Sequence, residues 1–179
     1  MKSSLFLSII VALGLTAAAL WQAFTPPTPE QVKIREVTQR IIAVRAADVP
    51  AMLRSKEGRP TILVIYASWC PYCRELMNPL MELVDNGTFA RFDVQFLSED
   101  NSFSELAAYL VKQGYETRFV PYFAKKSGVN DLKDVMKTTG SNFRRTIPYV
   151  GFFDKNGKMV AEFTGVVDKE RLLTTASQF

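Results

Sequence analysis

The sequence predicts an α/β protein, a central mixed sheet flanked by helices with an antiparallel hairpin at one edge, behind a hydrophobic N-terminal segment. Three observations carry that prediction. Thr61-Ile-Leu-Val-Ile-Tyr66 is a continuous apolar run rich in β-branched residues, the pattern of a strand buried on both faces. Strand-like and helix-like periods then alternate through Phe92–Leu97 and Ser102–Gly114. Near the C-terminus, Asp154-Lys-Asn156-Gly157 separates two strand-like runs as a hairpin turn does.

Taken in order, the chain opens with Lys2 and an uncharged run from Leu5 to Phe24, which ends at Thr25-Pro26-Pro27-Thr28-Pro29. A single positive charge before an apolar run is an export signal. Two outcomes are open. The small residues Ala17-Ala18-Ala19 offer a cleavage site near Ala19, whereas a run of this length crosses about 30 Å of hydrocarbon and favours an uncleaved anchor. Trp21 suits the far interface, and the prolines after it make a stiff spacer. The expected division is residues 1–25 as signal anchor or signal peptide, 26–39 as linker and 40–179 as the folded domain. In either case the domain is expected to be translocated, into the periplasm of a bacterium: tethered to the inner membrane by residues 5–24 if the segment is kept, or released if it is cleaved near Ala19.

Arg40–Val44 reads as the first strand. Asp48 and Pro50 open a short helix that Gly58-Arg59-Pro60 ends. After the Thr61–Tyr66 strand, Pro71 in a first turn and apolar residues at Leu76, Met77, Leu80, Leu83 and Val84 mark an amphipathic helix fading at Asn86-Gly87. Phe92–Leu97 is a strand. Ser102 and Glu105 have the spacing of a capping box, and Gly114 closes the helix they start. Tyr115–Phe123 carries Pro121, so it is expected as a short or edge strand. Lys125-Lys126-Ser-Gly128 reads as a turn, Asn130 as the cap of a helix to Lys137, and Gly140-Ser-Asn142 as a loop. Tyr149–Phe153 and Lys158–Phe163 form the hairpin, and Asp168 introduces a last helix with Leu172 and Leu173.

The chemistry is confined to one place. The chain has two cysteines, Cys70 and Cys73, and they lie where the buried strand hands over to a helix N-terminus. Unpaired backbone N–H groups and the helix dipole favour a thiolate at Cys70, and the thiolate is the nucleophile. Cys73, one helical turn on, is within disulfide reach. A structural bridge closing so short a loop would constrain the unfolded chain little. A zinc site lacks its other half, since no further cysteine and no histidine exists in the chain. A redox-active pair, Cys70–Cys73, is the reading that remains favoured. The absence of histidine also excludes Ser-His-Asp, Cys-His and zinc-hydrolase chemistry. A net charge of +4 without a Lys/Arg block gives no reason to expect a nucleic-acid partner. No metal or other cofactor is called for.

Trp69-Cys70-Pro71-Tyr72-Cys73, placed at the end of a strand, resembles the W-C-x-x-C active site of the thioredoxin superfamily, and Ile147-Pro148 before a hairpin resembles its cis-proline loop. The resemblance runs from Arg40 to the C-terminus and implies the thioredoxin fold. With the N-terminal segment, the chain looks most like the membrane-tethered thiol:disulfide oxidoreductases of the TlpA, ResA and CcmG type. That likeness implies catalysis by Cys70 and Cys73, and a substrate-binding edge of Trp69, Tyr72, Ile147 and Pro148. It also implies protein thiols or disulfides as substrates, and a membrane electron donor or acceptor as redox partner. Reduction of disulfides is the first expectation, and an oxidase or isomerase in the DsbA direction the second. The Pro-Tyr between the cysteines also resembles glutaredoxins, and a soft-metal chaperone that takes copper on the two thiols is a reading from another class. Two departures stand out: Val64 occupies the slot of thioredoxin's buried aspartate, and the helix proline falls one place late, at Pro79. A proton acceptor for Cys73 must then come from elsewhere, with Glu75, Asp93 and Glu99 as candidates. Arg74, Arg144 and Arg145 are candidates for positive charge near Cys70.

Overall fold

Thr61–Tyr66 is buried along its whole length, and the alternation of its side chains builds two cores, one on each face of the sheet. Ile62, Val64 and Tyr66 face one core and Leu63 and Ile65 the other. The computed structural model describes residues 26–54, 57–125 and 132–179. The export segment, the Lys126–Gly128 part of the expected turn and the Asn130 cap lie outside these residues. Among the described residues no helix is long and apolar enough to cross a membrane.

In chain order the elements are α1 (Pro29–Arg40), β1 (Ile42–Arg45), a 3-10 turn (Ala46–Asp48), α2 (Val49–Leu53), β2 (Thr61–Tyr66), α3 (Pro71–Asp85), β3 (Asp93–Ser98), α4 (Phe103–Gln113), β4 (Pro121–Lys125), α5 (Leu132–Lys137), β5 (Tyr149–Phe153), β6 (Met159–Thr164) and α6 (Lys169–Ala176). Among the described residues the sheet has six strands in the order β1-β4-β3-β2-β5-β6. β1, β4, β3 and β2 run parallel, and β5 and β6 are antiparallel additions beside β2. Residues of α3, α4 and α6 pack on one face, with Leu76, Leu80, Leu106, Leu110 and Leu172 at its centre. Residues of α2 and α5 cover the other, with Leu53, Leu132 and Met136. Ile34–Phe179 form one compact unit.

Three expectations are corrected. Residues 30–39 are a helix, α1, and not a linker. Thr28 and Gln31 form a reciprocal cap, with the Gln31 N–H donating to Thr28 Oγ1 at 3.2 Å and the Thr28 N–H to Gln31 Oε1 at 2.8 Å. Pro29 fits the first turn, where no N–H is needed, and Val37 is buried against the sheet's helical layer. β4 is an interior strand between β1 and β3, not an edge. Pro121 is its first residue, so the missing N–H falls at the strand's start and the ladder continues through Tyr122 and Phe123. The Asp48 carboxylate also caps nothing; it pairs with Arg45 at 2.8 Å.

Local signals hold elsewhere. Ser102 Oγ accepts from the Glu105 N–H, and Gly114 takes the left-handed C-cap at φ 68°. Asp154 Oδ1 accepts from the Asn156 and Lys158 N–H groups in the hairpin turn. Gly151 in β5 is required by packing: a Cβ there would lie 2.7 Å from the Tyr149 hydroxyl and 2.7 Å from the Phe153 ring. Both rings are fully buried and cannot swing away. Gly151→Ala is therefore expected to cost about 1–3 kcal/mol by overpacking, read as a lower urea midpoint at unchanged slope.

Candidate active site

Cys70 is the N-cap residue of α3, with Pro71 in the first turn, so the sequence places its sulfur over the helix's unpaired N–H groups. The Cys73 N–H donates to Cys70 Sγ at 3.2 Å. Both cysteines are free thiols; Cys70 is 5% and Cys73 1% exposed, so the approach to the pair is through Cys70. The Cys70 thiol donates to the Ile147 carbonyl at 3.9 Å, across the loop before β5. The Ile147–Pro148 peptide is cis, and the Pro148 carbonyl accepts from the Gly165 N–H at 2.8 Å. The Ile147 carbonyl is thus brought beside Cys70, with Pro148 next to it in the chain. Trp69 is 53% and Tyr72 65% exposed, so both flank the cysteine as solvent-facing aromatic surface and not as core.

The charged candidates divide. Arg74 lies on the first turns of α3 and donates through Nε to the Ser68 carbonyl at 3.0 Å, bracing the turn before Cys70. Arg144 and Arg145 are exposed in the loop leading to Ile147. Of the proton-acceptor candidates, Glu75 is exposed on α3. Asp93 begins β3 opposite Thr61, at the end of the sheet remote from the cysteines, and accepts from Gln95 Nε2. Glu99 is half-buried, and its N–H donates to the Tyr66 carbonyl.

The buried acid is the next residue, Asp100, which the sequence reading missed. It is fully buried. Its Oδ1 accepts from the Ser68 N–H at 3.0 Å and the Ser68 hydroxyl at 2.6 Å, and its Oδ2 from the Ser98 hydroxyl at 2.7 Å. Three donors converging on one carboxylate satisfy it as an anion and tie the end of β3 to the turn that carries Trp69 and Cys70. The available signal was Ser98-Glu-Asp100 at a strand end, where alternate residues share a face. Burial pushes the Cys73 thiol well up; its hydrogen bond with Cys70 adds to this, the Ala67 backbone works against it, and the Asp100 charge adds again. Burial likewise holds the Tyr66 and Tyr109 phenols protonated, with Asp100 contributing to both. Tyr66 leaves its hydroxyl buried without a hydrogen-bond partner among the described residues.

A model of the thioredoxin-like domain family matches residues 52–179, most of the chain. The chain belongs to the thioredoxin-like family. No curated protein matches it by sequence. Solved thioredoxin-like structures share its fold at low identity. A thioredoxin-family thiol:disulfide interchange protein from Chlorobium tepidum TLS is 17% identical with a TM-score of 0.55, covering 72% of this chain and 82% of its own. The pneumococcal exposed lipoprotein thioredoxin Etrx1 from Streptococcus pneumoniae is 19% identical with a TM-score of 0.53, covering 73% and 90%. StoA from Bacillus subtilis is 17% identical with a TM-score of 0.52, covering 65% and 81%. This thioredoxin-like domain differs from the sequence pattern of thioredoxin in its acid: Val64 is fully buried in β2 and the carboxylate comes from beyond β3. Among the described residues no three Cys, Asp or Glu side chains gather as a metal-binding group.

Proposed function

We propose that this protein is a thiol:disulfide oxidoreductase acting outside the cytoplasm, and that it reduces protein disulfides through Cys70 and Cys73. The observation that carries the reading is Cys70 at a helix N-cap, 3.9 Å from the Ile147 carbonyl and rimmed by exposed Trp69 and Tyr72. A substrate disulfide approaching that rim meets one accessible sulfur and a short backbone edge at Ile147 on which an extended segment pairs. The Cys70 thiolate attacks one substrate sulfur, forming a mixed disulfide and releasing the other as a thiolate that takes a proton from solvent. Cys73 then loses its proton and attacks Cys70; the Cys70–Cys73 disulfide forms and the second substrate sulfur leaves with the electron pair. The substrate gains two electrons and the enzyme loses them, so a separate donor must reduce the pair before the next cycle.

The extracytoplasmic placement rests on the Leu5–Phe24 run behind Lys2. Etrx1, which has the same fold, is described as an exposed lipoprotein thioredoxin, in keeping with that placement. The reading is tested by equilibrating the full-length protein in dithiothreitol and glutathione buffers and counting free thiols. A potential near that of thioredoxin, about −270 mV, is the expected result; one above about −150 mV overturns the reductive direction in favour of an oxidase. Labelling of Cys70 in intact cells by a membrane-impermeant maleimide is expected, and protection until lysis overturns the placement.

A further inference from the structure

Glu162 touches neither cysteine, yet it gathers more hydrogen-bond donors than any role in a hairpin strand requires. It sits on β6 opposite Gly151. Its Oε2 accepts from the Ser141 hydroxyl at 2.7 Å and from the Tyr149 hydroxyl at 3.0 Å. The Asn142 N–H donates to Oε1 at 2.9 Å and to Oε2 at 3.2 Å. Ser141 Oγ lies 2.9 Å from the Tyr149 hydroxyl and accepts from the Phe143 N–H at 3.0 Å. Ser141 and Asn142 open the loop that ends at Pro148, and Tyr149 is the residue after it. One half-buried carboxylate therefore closes both ends of the loop that carries Ile147 and Pro148.

The sequence prepares this contact. Gly151 leaves room for the Tyr149 ring to lie along its own strand, because a Cβ would come within 2.7 Å of the hydroxyl. Phe143 packs edge-on against that ring at 5.0 Å and fixes it from the other side. Burial holds the Tyr149 phenol protonated, with the Ser141 bond working against it and the Glu162 charge with it, so its proton stays available to donate. Between the two anchored ends, Arg144, Arg145 and Thr146 are exposed, and Arg145 has φ 63°, in the left-handed region. A residue in that region persists only where its surroundings fix the loop, and the Glu162 bonds at both ends contribute to that. Bonds to a carboxylate are roughly twice as strong as neutral ones, which suits Glu162 to the task.

We infer that Glu162 is a positioning residue for the substrate edge: by clamping Ser141–Asn142 to Tyr149 it holds Ile147 ready for the backbone of a protein disulfide. This rests on the exchange function proposed above. A loop fixed before the substrate arrives loses less freedom on binding, so the clamp acts on substrate affinity and not on the sulfur chemistry. A small aromatic disulfide such as Ellman's reagent has no backbone to pair and does not need the edge.

The test measures insulin reduction and Ellman's reagent reduction by the full-length wild type, Glu162→Ala, Glu162→Gln and Tyr149→Phe. For Glu162→Ala, KM for insulin is expected to rise about tenfold, with kcat and the rate with Ellman's reagent within about twofold of wild type. Glu162→Gln and Tyr149→Phe, which keep part of the clamp and the packing, are expected to shift KM the same way by smaller factors. They carry the test if the alanine variant fails to fold. An unchanged insulin KM in the folded variants, or a parallel fall in the insulin and Ellman's reagent rates, overturns the inference. A wild type that reduces neither disulfide overturns the exchange function itself.

Discussion

Cys73→Ser is expected to stop turnover at the mixed disulfide, with one equivalent of substrate held covalently on Cys70 per chain. The reason is geometric. Cys70, at the helix N-cap, is the less buried of the two at 5% exposed, while Cys73 is 1% exposed and lies one helical turn behind it. Removing the buried sulfur leaves the first attack intact and deletes the only thiol placed to displace the substrate. Non-reducing gel electrophoresis, followed by mass spectrometry of the adduct, checks this. Cys70→Ser is expected to lose essentially all exchange and to form no adduct. A Cys73→Ser protein that turns over like wild type, or an adduct on Cys73, would sink the assignment of roles.

Asp100→Asn is expected to make the cysteine pair more oxidising by about tenfold in the exchange equilibrium, or about 30 mV. The disulfide is neutral, whereas any thiolate in the reduced pair is destabilised by a buried negative charge beneath it, so removing that charge favours the reduced form. Asparagine fills the same space and retains a partner for Ser68 and for Ser98, so the change removes charge more than structure. Asp100→Ala deletes the acceptor for all three donors and is expected to cost about 3 kcal/mol in addition, read by urea unfolding. There is also a pH signature. Burial first, then the Cys70 bond and the Asp100 charge, raise the Cys73 pKa in the folded reduced protein above its unfolded value of about 8.5. The stability this confers is fully present below that value and is lost as pH rises through the higher folded pKa. The reduced protein should therefore lose stability above about pH 8.5, and Cys73→Ser should lose less over the same range. A potential for Asp100→Asn equal to wild type would show that Asp100 only fastens the turn.

Much of the fold could be read before the structure because the signals involved are local. Pro71 and the apolar positions of α3 report a helix of three to four turns, and Ser102 with Gly114 bounds α4 at both ends through contacts a few residues apart. α1 carries such a signal at its start, in Thr28, Pro29 and Gln31, but little to mark the rest of it. α1 has few apolar residues, and its stability comes from Ile34 and Val37 packing on a layer formed much later in the chain. Pro121 predicts a short or edge strand; β4 is short but interior, because a proline at a strand's first residue is compatible with an interior place. Strand order is a property of the sheet and not of the segment.

The same division runs through the active site. By itself the sequence determined the cysteine pair, its seat at a strand-to-helix junction and the aromatic residues on either side, since adjacency and helix capping settle all of these. Only the tertiary structure decided what surrounds them. Ile147 reaches Cys70 across 77 positions because β5 adds antiparallel to β2 with Tyr149 opposite Ile65. Asp100, and not Glu99, becomes the buried acid because β3 pairs β2 with Ser98 opposite Tyr66. Strand side chains alternate faces with a period of two, so register, set by the packing of the whole sheet, chooses which neighbour is buried beneath the thiols and which faces outward.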